Sequence, residues 1–342
     1  MKILFVCDRS GGHVFPALAI ASAISKNKPD EEIHFFVTSA FLKDHLLQKG
    51  FTVWGKSFNS RNLFIEMFYR VFEAMYLLFK LRPKRVIGFG GRDSFFLVLF
   101  AALLNADTAI YEPNVRAGRA NSILSLFVKK VFRGFDQKET NKKTVVVGIP
   151  LRENIKKIER RVALTNLGFQ DKPTLFCFGG SQGSVFLNEV FLKLIQSLDY
   201  DFQIIHLTGE REYFKISRIY NKIEKKNFVK DFYYAMEILY SASDVVISRS
   251  GASTLAEIAY YKIPSILIPH PAAGGHQRDN ALYFVNKDAA YMYCQENFSF
   301  DNFKHTVENL LKDSDLRQKI ITNLCNIKIG ISFENFSKNT YF

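Results

Sequence analysis

Apolar and polar positions fall in blocks along this chain, and the blocks predict short strands separated by helices. Strand candidates, several of them continuous apolar stretches as expected of parallel strands covered on both faces, occupy residues 2–7, 33–38, 85–88, 108–111 and 144–147. A second set follows at 174–178, 203–208, 244–248, 265–268 and 290–293. Helical spacing fills intervals between them, for example at 17–25, 117–131, 186–198, 254–260 and 277–286. Such alternation means βαβ units and an open parallel sheet. The pattern is also doubled. Each half opens with a strand that runs straight into a glycine-rich turn: Cys7-Asp8-Arg9-Ser10-Gly11-Gly12, then Phe178-Gly179-Gly180-Ser181-Gln182-Gly183. The predicted fold class is α/β, with two doubly wound Rossmann-like domains over residues 1–150 and 151–342. The last helix either stays with the second domain or packs back on the first.

Composition adds two constraints. Hydrophobic residues are 48% and charged residues 23% of the 342, the balance of a globular protein with real cores. The 46 Lys and Arg against 33 Asp and Glu leave +13, a surface that attracts nucleic acid, anionic membrane or phosphorylated substrates. No nucleic-acid-binding signature accompanies the charge, so nucleic acid is set aside. The longest pure apolar run, 95–104, is half of what a bilayer crossing needs, and the first residues read as a strand and not as a signal peptide. Membrane contact is then expected from the side only. Cys7, Cys177, Cys294 and Cys325 have no metal or disulfide spacing and read as reduced thiols of a cytosolic protein.

Residues 62–85 stand apart. Aromatic and aliphatic residues occur almost all round this helix, and Lys80, Arg82, Lys84 and Arg85 gather at its end. Two readings stay open: a helix packed on the sheet, or an interfacial patch over 63–85 facing anionic lipid.

Three turns in the second half carry phosphate chemistry. Glycines at 179, 180 and 183 let backbone N–H groups approach a phosphate at a helix N-terminus, with Ser181 as a hydroxyl donor. No Lys follows in P-loop spacing, which disfavours ATP hydrolysis. Ser248-Arg249-Ser250-Gly251-Ala252-Ser253-Thr254 again joins a strand to a helix, and Glu257 beyond it suits a ribose or simply the helix dipole. The third turn is Pro269-His270-Pro271, followed by Gly274-Gly275-His276-Gln277-Arg278-Asp279-Asn280-Ala281. Each is weak alone; three at consecutive strand ends point to a nucleotide-linked ligand.

In order, Gly11-Gly12-His13, Gly88-Phe89-Gly90-Gly91, Glu112-Pro113-Asn114, Gly148-Ile149-Pro150-Leu151-Arg152, 179–183, 249–257 and 276–281 resemble the MurG family of glycosyltransferases, in glycosyltransferase family 28. The resemblance implies a GT-B architecture, with two Rossmann-like domains facing a cleft and no metal or cofactor requirement. It implies an inverting hexosyltransferase of peptidoglycan synthesis, peripheral on the cytoplasmic side of the membrane. That enzyme moves N-acetylglucosamine from UDP-N-acetylglucosamine to an undecaprenyl-diphosphate-linked muramyl peptide. By the same likeness Arg152, Ser181, Gln182 and Gly180 hold uracil and phosphate, and Ser250, Gly251 and Thr254 lie with them. Glu257 holds the ribose, Gln277 and Asn280 the sugar hydroxyls, and Phe232 and Met236 flank the nucleotide. Ser10, Gly11, Gly12, Gly90, Gly91 and Asn114 take the acceptor diphosphate. His13 is the candidate general base, because a histidine titrates near neutrality; ordering the loop is its other reading. Departures concentrate in the acceptor half. Asp8 and Arg9 replace two family glycines, Arg92 and Asp93 follow the second Gly-Gly where the family has Tyr, and Tyr111 and Pro113 alter the third motif. A related UDP-sugar transferase with another lipid-linked or surface-glycan acceptor therefore remains as the alternative, as does a paralogue that binds without transfer.

Overall fold

The computed structural model describes every residue except 10, 59–61, 137–141, 153, 154, 181, 273 and 332–342, together with all side chains of those residues but that of Leu63. The chain divides into two compact units, residues 1–152 with Ile331 onward, and residues 153–330.

In the first unit, strands β1 (Lys2–Val6), β2 (Glu32–Phe36), β3 (Thr52–Trp54), β4 (Arg85–Gly88), β5 (Asp107–Glu112), β6 (Lys130–Arg133) and β7 (Thr144–Val146) form one sheet in the order 3-2-1-4-5-6-7. Every pairing in it is parallel. Helices α1 (Gly11–Asn27), α2 (Ala40–Gln48), α3 (Leu63–Leu81), α4 (Phe95–Leu103) and α5 (Arg119–Leu124) join the strands, and a two-residue strand β8 (Ile149–Pro150) follows. Successive β1 residues divide between two cores. Ile3, Phe5 and Cys7 pack with Val14, Ala17 and Ile20 of α1, while Leu4 and Val6 pack with Leu77 and Leu78 of α3 and Val98 of α4. This is why the strand reads as an unbroken apolar run. Ile331 returns to this unit: its carbonyl accepts from Leu151 N–H at 3.0 Å, and its side chain lies on the α1-side core.

The second unit contains α6 (Arg160–Leu167), β9 (Thr174–Phe178), α7 (Val185–Ser197), β10 (Gln203–Leu207), α8 (Tyr213–Tyr220) and β11 (Asn227–Lys230). It continues through α9 (Met236–Ala242), β12 (Val245–Ser248), α10 (Ala252–Tyr261), β13 (Ser265–Leu267), α11 (His276–Val285), β14 (Tyr291–Met292), α12 (Phe300–Lys312) and α13 (Ser314–Leu324). Its sheet order, 11-10-9-12-13-14, repeats the third-second-first-fourth-fifth-sixth order of the first unit, and it too is parallel throughout.

Two expectations are corrected. The helix expected over 117–131 ends at Leu124; residues from Lys130 pair with β5 as β6. Leu124, Val128 and Val131 all reach the same core, so their spacing imitates a helix although the chain turns between them. The edge strands β3 and β11 were not expected, because their side chains are only partly buried and carry little apolar pattern. The helix 62–85 is not apolar all round either. Its inner face holds buried Glu66 and Arg70 beside Ala74, Leu77, Leu78 and Leu81, and its aromatics point outward.

A polar pin secures the second unit. Buried His206 on β10 bonds Tyr220 Oη at 3.0 Å through Nδ1 and Asn188 Oδ1 at 3.1 Å through Nε2, while Asn188 Nδ2 donates to the Thr208 carbonyl at 2.9 Å. Burial pulls the imidazole down to about 3 from 6.5. The unfolded chain takes up a proton below pH 6.5, and folded His206 does not until about pH 3. This group therefore makes stability fall on acidification across that window, by up to about 1.4 kcal/mol per pH unit. Urea titrations at a series of pH values should show a shallower slope for His206→Gln, by about one proton.

Candidate functional site

In both sheets the strand order reverses beside the first strand, between β1 and β4 and between β9 and β12. Loops leaving such neighbours diverge and open the crevice in which doubly wound folds take ligands.

In the second unit the turn after β9 is built by its glycines. A Cβ on Gly179 would sit 2.5 Å from Ser184 N, and one on Gly183 2.3 Å from the Thr208 carbonyl, so neither position admits a side chain. Gly180, with φ +92°, has nothing within 4 Å of its Cβ position. Gln182 is exposed beside it, and Ser181 lies outside the described residues. Helix α7 starts immediately afterwards, capped by Ser184 and with no acidic residue in its first turn. Its N-terminal end thus keeps the positive field that favours a phosphate.

The turn after β12 is held by Arg249, a role the sequence reading did not give it. This buried guanidinium donates from Nη1 to the Ile268 and Pro269 carbonyls, each at 3.0 Å. From Nη2 it donates to Ser184 Oγ at 2.8 Å and Gln295 Oε1 at 3.1 Å. One side chain thereby fixes the ends of β12 and β13 against the α7 cap. Ser250 Oγ donates to the Gln277 carbonyl at 2.7 Å, and Asn280 Nδ2 donates to the Ser250 carbonyl at 3.3 Å. Gln277 Oε1 accepts from His270 N–H at 2.9 Å. Ser250, Gln277 and Asn280 are therefore brought together at the N-termini of α10 and α11. Gly251 caps α10, which has no acid in its first turn, and Thr254 lies half-buried in that turn. Glu257 is buried farther along α10, and its Oε2 accepts from Tyr240 Oη at 2.8 Å. Met236 is buried at the start of α9, whereas Phe232 is partly exposed against Tyr234. Arg152 is exposed and falls at the end of the first unit.

In the first unit Gly11, Gly12 and His13 form the opening of α1, again without an acid in the first turn. Ser10 lies outside the described residues. Burial lowers the His13 pKa, against the opposing charges of Asp8 and Glu112, and Nδ1 is buried with no hydrogen-bond partner among the described residues. Gly90 and Gly91 have φ of +91° and +94°, and their carbonyls both accept from Ser94 Oγ. Asn114 spends Nδ2 on Glu112 Oε1 at 3.0 Å, while Glu112 Oε2 accepts from Gly118 N–H at 2.9 Å. Tyr111 donates its buried hydroxyl to the Gly148 carbonyl at 3.0 Å.

Four of the residues that depart from the family pattern, Asp8, Arg9, Arg92 and Asp93, meet in one place. Asp8 spends its carboxylate on backbone, accepting from Arg9 N–H at 2.7 Å and Arg92 N–H at 3.2 Å. Arg9 Nε donates to Asp93 Oδ2 at 2.8 Å, and Thr38 Oγ1 donates to the same oxygen at 2.8 Å. Arg9 and Arg92 each donate from Nη2 to Glu66 Oε1, at 3.0 and 2.9 Å. Arg70 lies 3.5 Å from Asp93 and pairs with Glu73. Sequence spacing gave no sign that α3 supplies Glu66 and Arg70 to this network.

Comparison with known proteins follows the same two-part division. Residues 9–133 match the glycosyltransferase family 28 N-terminal domain, and residues 174–326 match the glycosyltransferase family 28 C-terminal domain. A protein of Thermoanaerobacter sp. (strain X514) is 31% identical, covering 94% of this chain and 94% of its own length. It is named UDP-N-acetylglucosamine--N-acetylmuramyl-(pentapeptide) pyrophosphoryl-undecaprenol N-acetylglucosamine transferase. The chain belongs to glycosyltransferase family 28. A relative of the same name from Bdellovibrio bacteriovorus is 31% identical over 96% of this chain and 95% of its own. The crystal structure of Acinetobacter baumannii MurG superposes with a TM-score of 0.78 at 23% identity, over 98% of this chain and 94% of that one. The family 28 fold, GT-B with two Rossmann-like domains, is therefore present here.

Within this family 28 chain, Asp93 joins the loops after β1, β2 and β4 to α3. Burial pushes its carboxyl up, but hydrogen bonds from Arg9 and Thr38 and the Arg70 charge outweigh this and lower it overall. Asp93→Asn should cost about 3 kcal/mol in urea unfolding at neutral pH, because Arg9 and Arg70 each lose one of two carboxylate partners. A lowered pKa gives stability that is present above the ordinary carboxylate value and lost as pH falls from that value through the group's own lower one. The gap between the two proteins should therefore narrow as pH falls through that range.

Proposed function

We propose that this family 28 chain is an inverting transferase. Its donor is UDP-N-acetylglucosamine, and its acceptor is the muramyl peptide carried on undecaprenyl diphosphate, the substrates in its relatives' printed name. The observation that carries the reading is the convergence of Ser250, Gln277 and Asn280 where α10 and α11 begin, beside an α7 terminus free of acid. In this reading the donor diphosphate lies against the α7 and α10 N-termini, with Gly180, Ser181, Gln182, Gly251 and Thr254 around it. Arg152 adds a cation, Glu257 takes the ribose, Phe232 and Met236 border the base, and Gln277 and Asn280 orient the sugar. The first unit takes the acceptor on the loops carrying Ser10, Gly11, Gly12, Gly90, Gly91 and Asn114.

The acceptor hydroxyl oxygen bonds to the anomeric carbon as the bond from that carbon to the UDP oxygen breaks. UDP leaves with the electron pair, and His13 takes the hydroxyl proton. Burial favours the neutral imidazole, which is the form a base needs at pH 7. Charge gathering on UDP meets helix N-termini already in place.

Transfer assays with UDP-N-acetylglucosamine, UDP-glucose and UDP-galactose on the muramyl lipid should give product with the first donor. Product on another glycan lipid, but none on the muramyl lipid, would show a related transferase in its place. His13→Ala should lower kcat at least about a hundredfold. The acidic limb of kcat/KM should fall below the ordinary histidine value of 6.5. Transfer near the wild-type rate in that variant would remove His13 from the chemistry.

We also propose that the first unit docks peripherally on anionic membrane. Among the described residues no helix is long and apolar enough to cross one. The outer face of α3 nevertheless leaves Phe64, Phe68, Phe72, Tyr76 and Phe79 exposed, and Lys80, Arg82 and Lys84 follow. Arg85 is committed elsewhere, donating to Asp107 at 3.2 Å. Leu103 at the end of α4, Leu104 just after it, and Leu126 and Phe127 after α5 are also exposed, and these helices pack on the same sheet face as α3. A Phe68→Glu, Phe72→Glu double variant should lose vesicle partitioning by about tenfold or more in flotation with phosphatidylglycerol vesicles. Undiminished flotation would leave this face without that role.

A further inference from the structure

Asp8, Arg9, Arg92 and Asp93 do more than hold one another. Most of the network's charge is inside: the side chains of Glu66, Arg70 and Asp93 are less than a tenth exposed. The most exposed members are two guanidinium groups, Arg9 with 39% of its side chain exposed and Arg92 with 62%. They follow β1 and β4, the strands that flank the switch point of this sheet. Asp8, the carboxylate nearest the two loops, has its oxygens on the backbone N–H groups of Arg9 and Arg92. The side chains that these two loops expose most are thus two guanidinium groups, beside a partly buried Asp8 carboxylate.

The two arginines are not equally committed. Arg9 bridges Asp93 and Glu66. Arg92 makes one side-chain hydrogen bond, to Glu66 Oε1, and its Nε lies 4.0 Å from Asp93 Oδ1. Glu66 keeps Arg9 if Arg92 turns away, and Asp93 keeps Arg9, Thr38 and Arg70. Exchanging the partner of Arg92 therefore breaks one ion-paired hydrogen bond, whereas exchanging those of Arg9 breaks two, including its bond to the deeply buried Asp93. A carboxylate held by two guanidinium groups also occupies the geometry that a phosphate takes.

We propose that Arg92 binds the diphosphate of the lipid-linked acceptor, and that Glu66 of α3 is its resting counterion, which the acceptor displaces. The inference rests on the acceptor assignment made under Proposed function. Arg92 then supplies, with a side chain, the anion contact that backbone N–H groups of a glycine-rich first loop would otherwise make, and Arg9 holds the receptor in place. Arg92 is a specificity-determining residue for diphosphate-carrying acceptors, and Glu66 sets how tightly they bind.

The two residues act in opposite directions, which a purely structural network does not allow. Arg92→Gln should raise the acceptor KM about tenfold with donor KM and kcat little changed, and Arg92→Lys should recover part of the loss. Glu66→Gln should lower the acceptor KM, because the internal competitor is gone. Thermal unfolding of each variant reports the network itself. Calorimetric binding of inorganic pyrophosphate, compared between wild type and Arg92→Gln in the presence of excess UDP, reads the receptor without turnover. A pyrophosphate difference that persists while no transfer to the muramyl lipid occurs would sink the functional reading and leave the receptor standing. An unchanged acceptor KM and pyrophosphate affinity in Arg92→Gln would overturn the proposal. So would a rise in KM in both Arg92→Gln and Glu66→Gln that tracks their loss of thermal stability.

Discussion

Parallel pairing throughout both sheets is the constraint on which the rest of this molecule depends. A parallel strand cannot be joined to its neighbour by a tight turn, so each must be followed by a crossover that returns over one face. All loops after strands then gather on one edge, and helices begin there with unsatisfied N–H groups. The chain leaves the opening turns of α1, α7 and α10 without acidic residues, so these ends keep their attraction for anions. Side chains refine that field; they do not create it.

The two units solve the edge differently. In the second, glycines press backbone on backbone, and Arg249 ties two strand ends to the α7 cap. A single buried cation satisfied mainly by carbonyls and one hydroxyl leaves the mouth of the crevice to small residues. In the first, glycines persist at 90 and 91, but Asp8, Arg9, Arg92 and Asp93 convert the neighbouring loops into an ionic lattice anchored on α3. A buried carboxylate such as Asp93 is tolerated because two donors, Arg9 and Thr38, and the Arg70 charge surround it.

Much of this was legible in the residues. The central strands β1, β4, β5, β9, β10 and β12 are buried on both faces, and burial of that kind leaves a continuous apolar signature. β3 and β11 are partly buried edge strands and leave almost none. β6 was mistaken for helix because Leu124, Val128 and Val131 serve one core at helical spacing. Donor-side residues could be named because their motifs are local, each turn lying within a few residues of its helix. Asp8, Arg9, Arg92 and Asp93 stood out as departures, but their partners did not. Glu66 and Arg70 lie dozens of residues from Arg9 and sit in a segment whose aromatic residues dominate its pattern. Long-range charge pairing has no sequence period, so it becomes visible only when the sheet brings the loops together.

The return of Ile331 to the first unit bears on the order of assembly during synthesis. Its carbonyl completes a bond to Leu151 N–H, and its side chain caps a core made otherwise from residues 3–147. The second unit, residues 153–330, is contiguous and can close on itself as it is translated. The first unit emerges earlier yet stays open at one seam until the whole second unit has passed. A chain that had emerged only as far as Gly330 would therefore hold a complete second unit while the first still lacked that seam, reversing the usual rule that the domain translated first is the domain completed first.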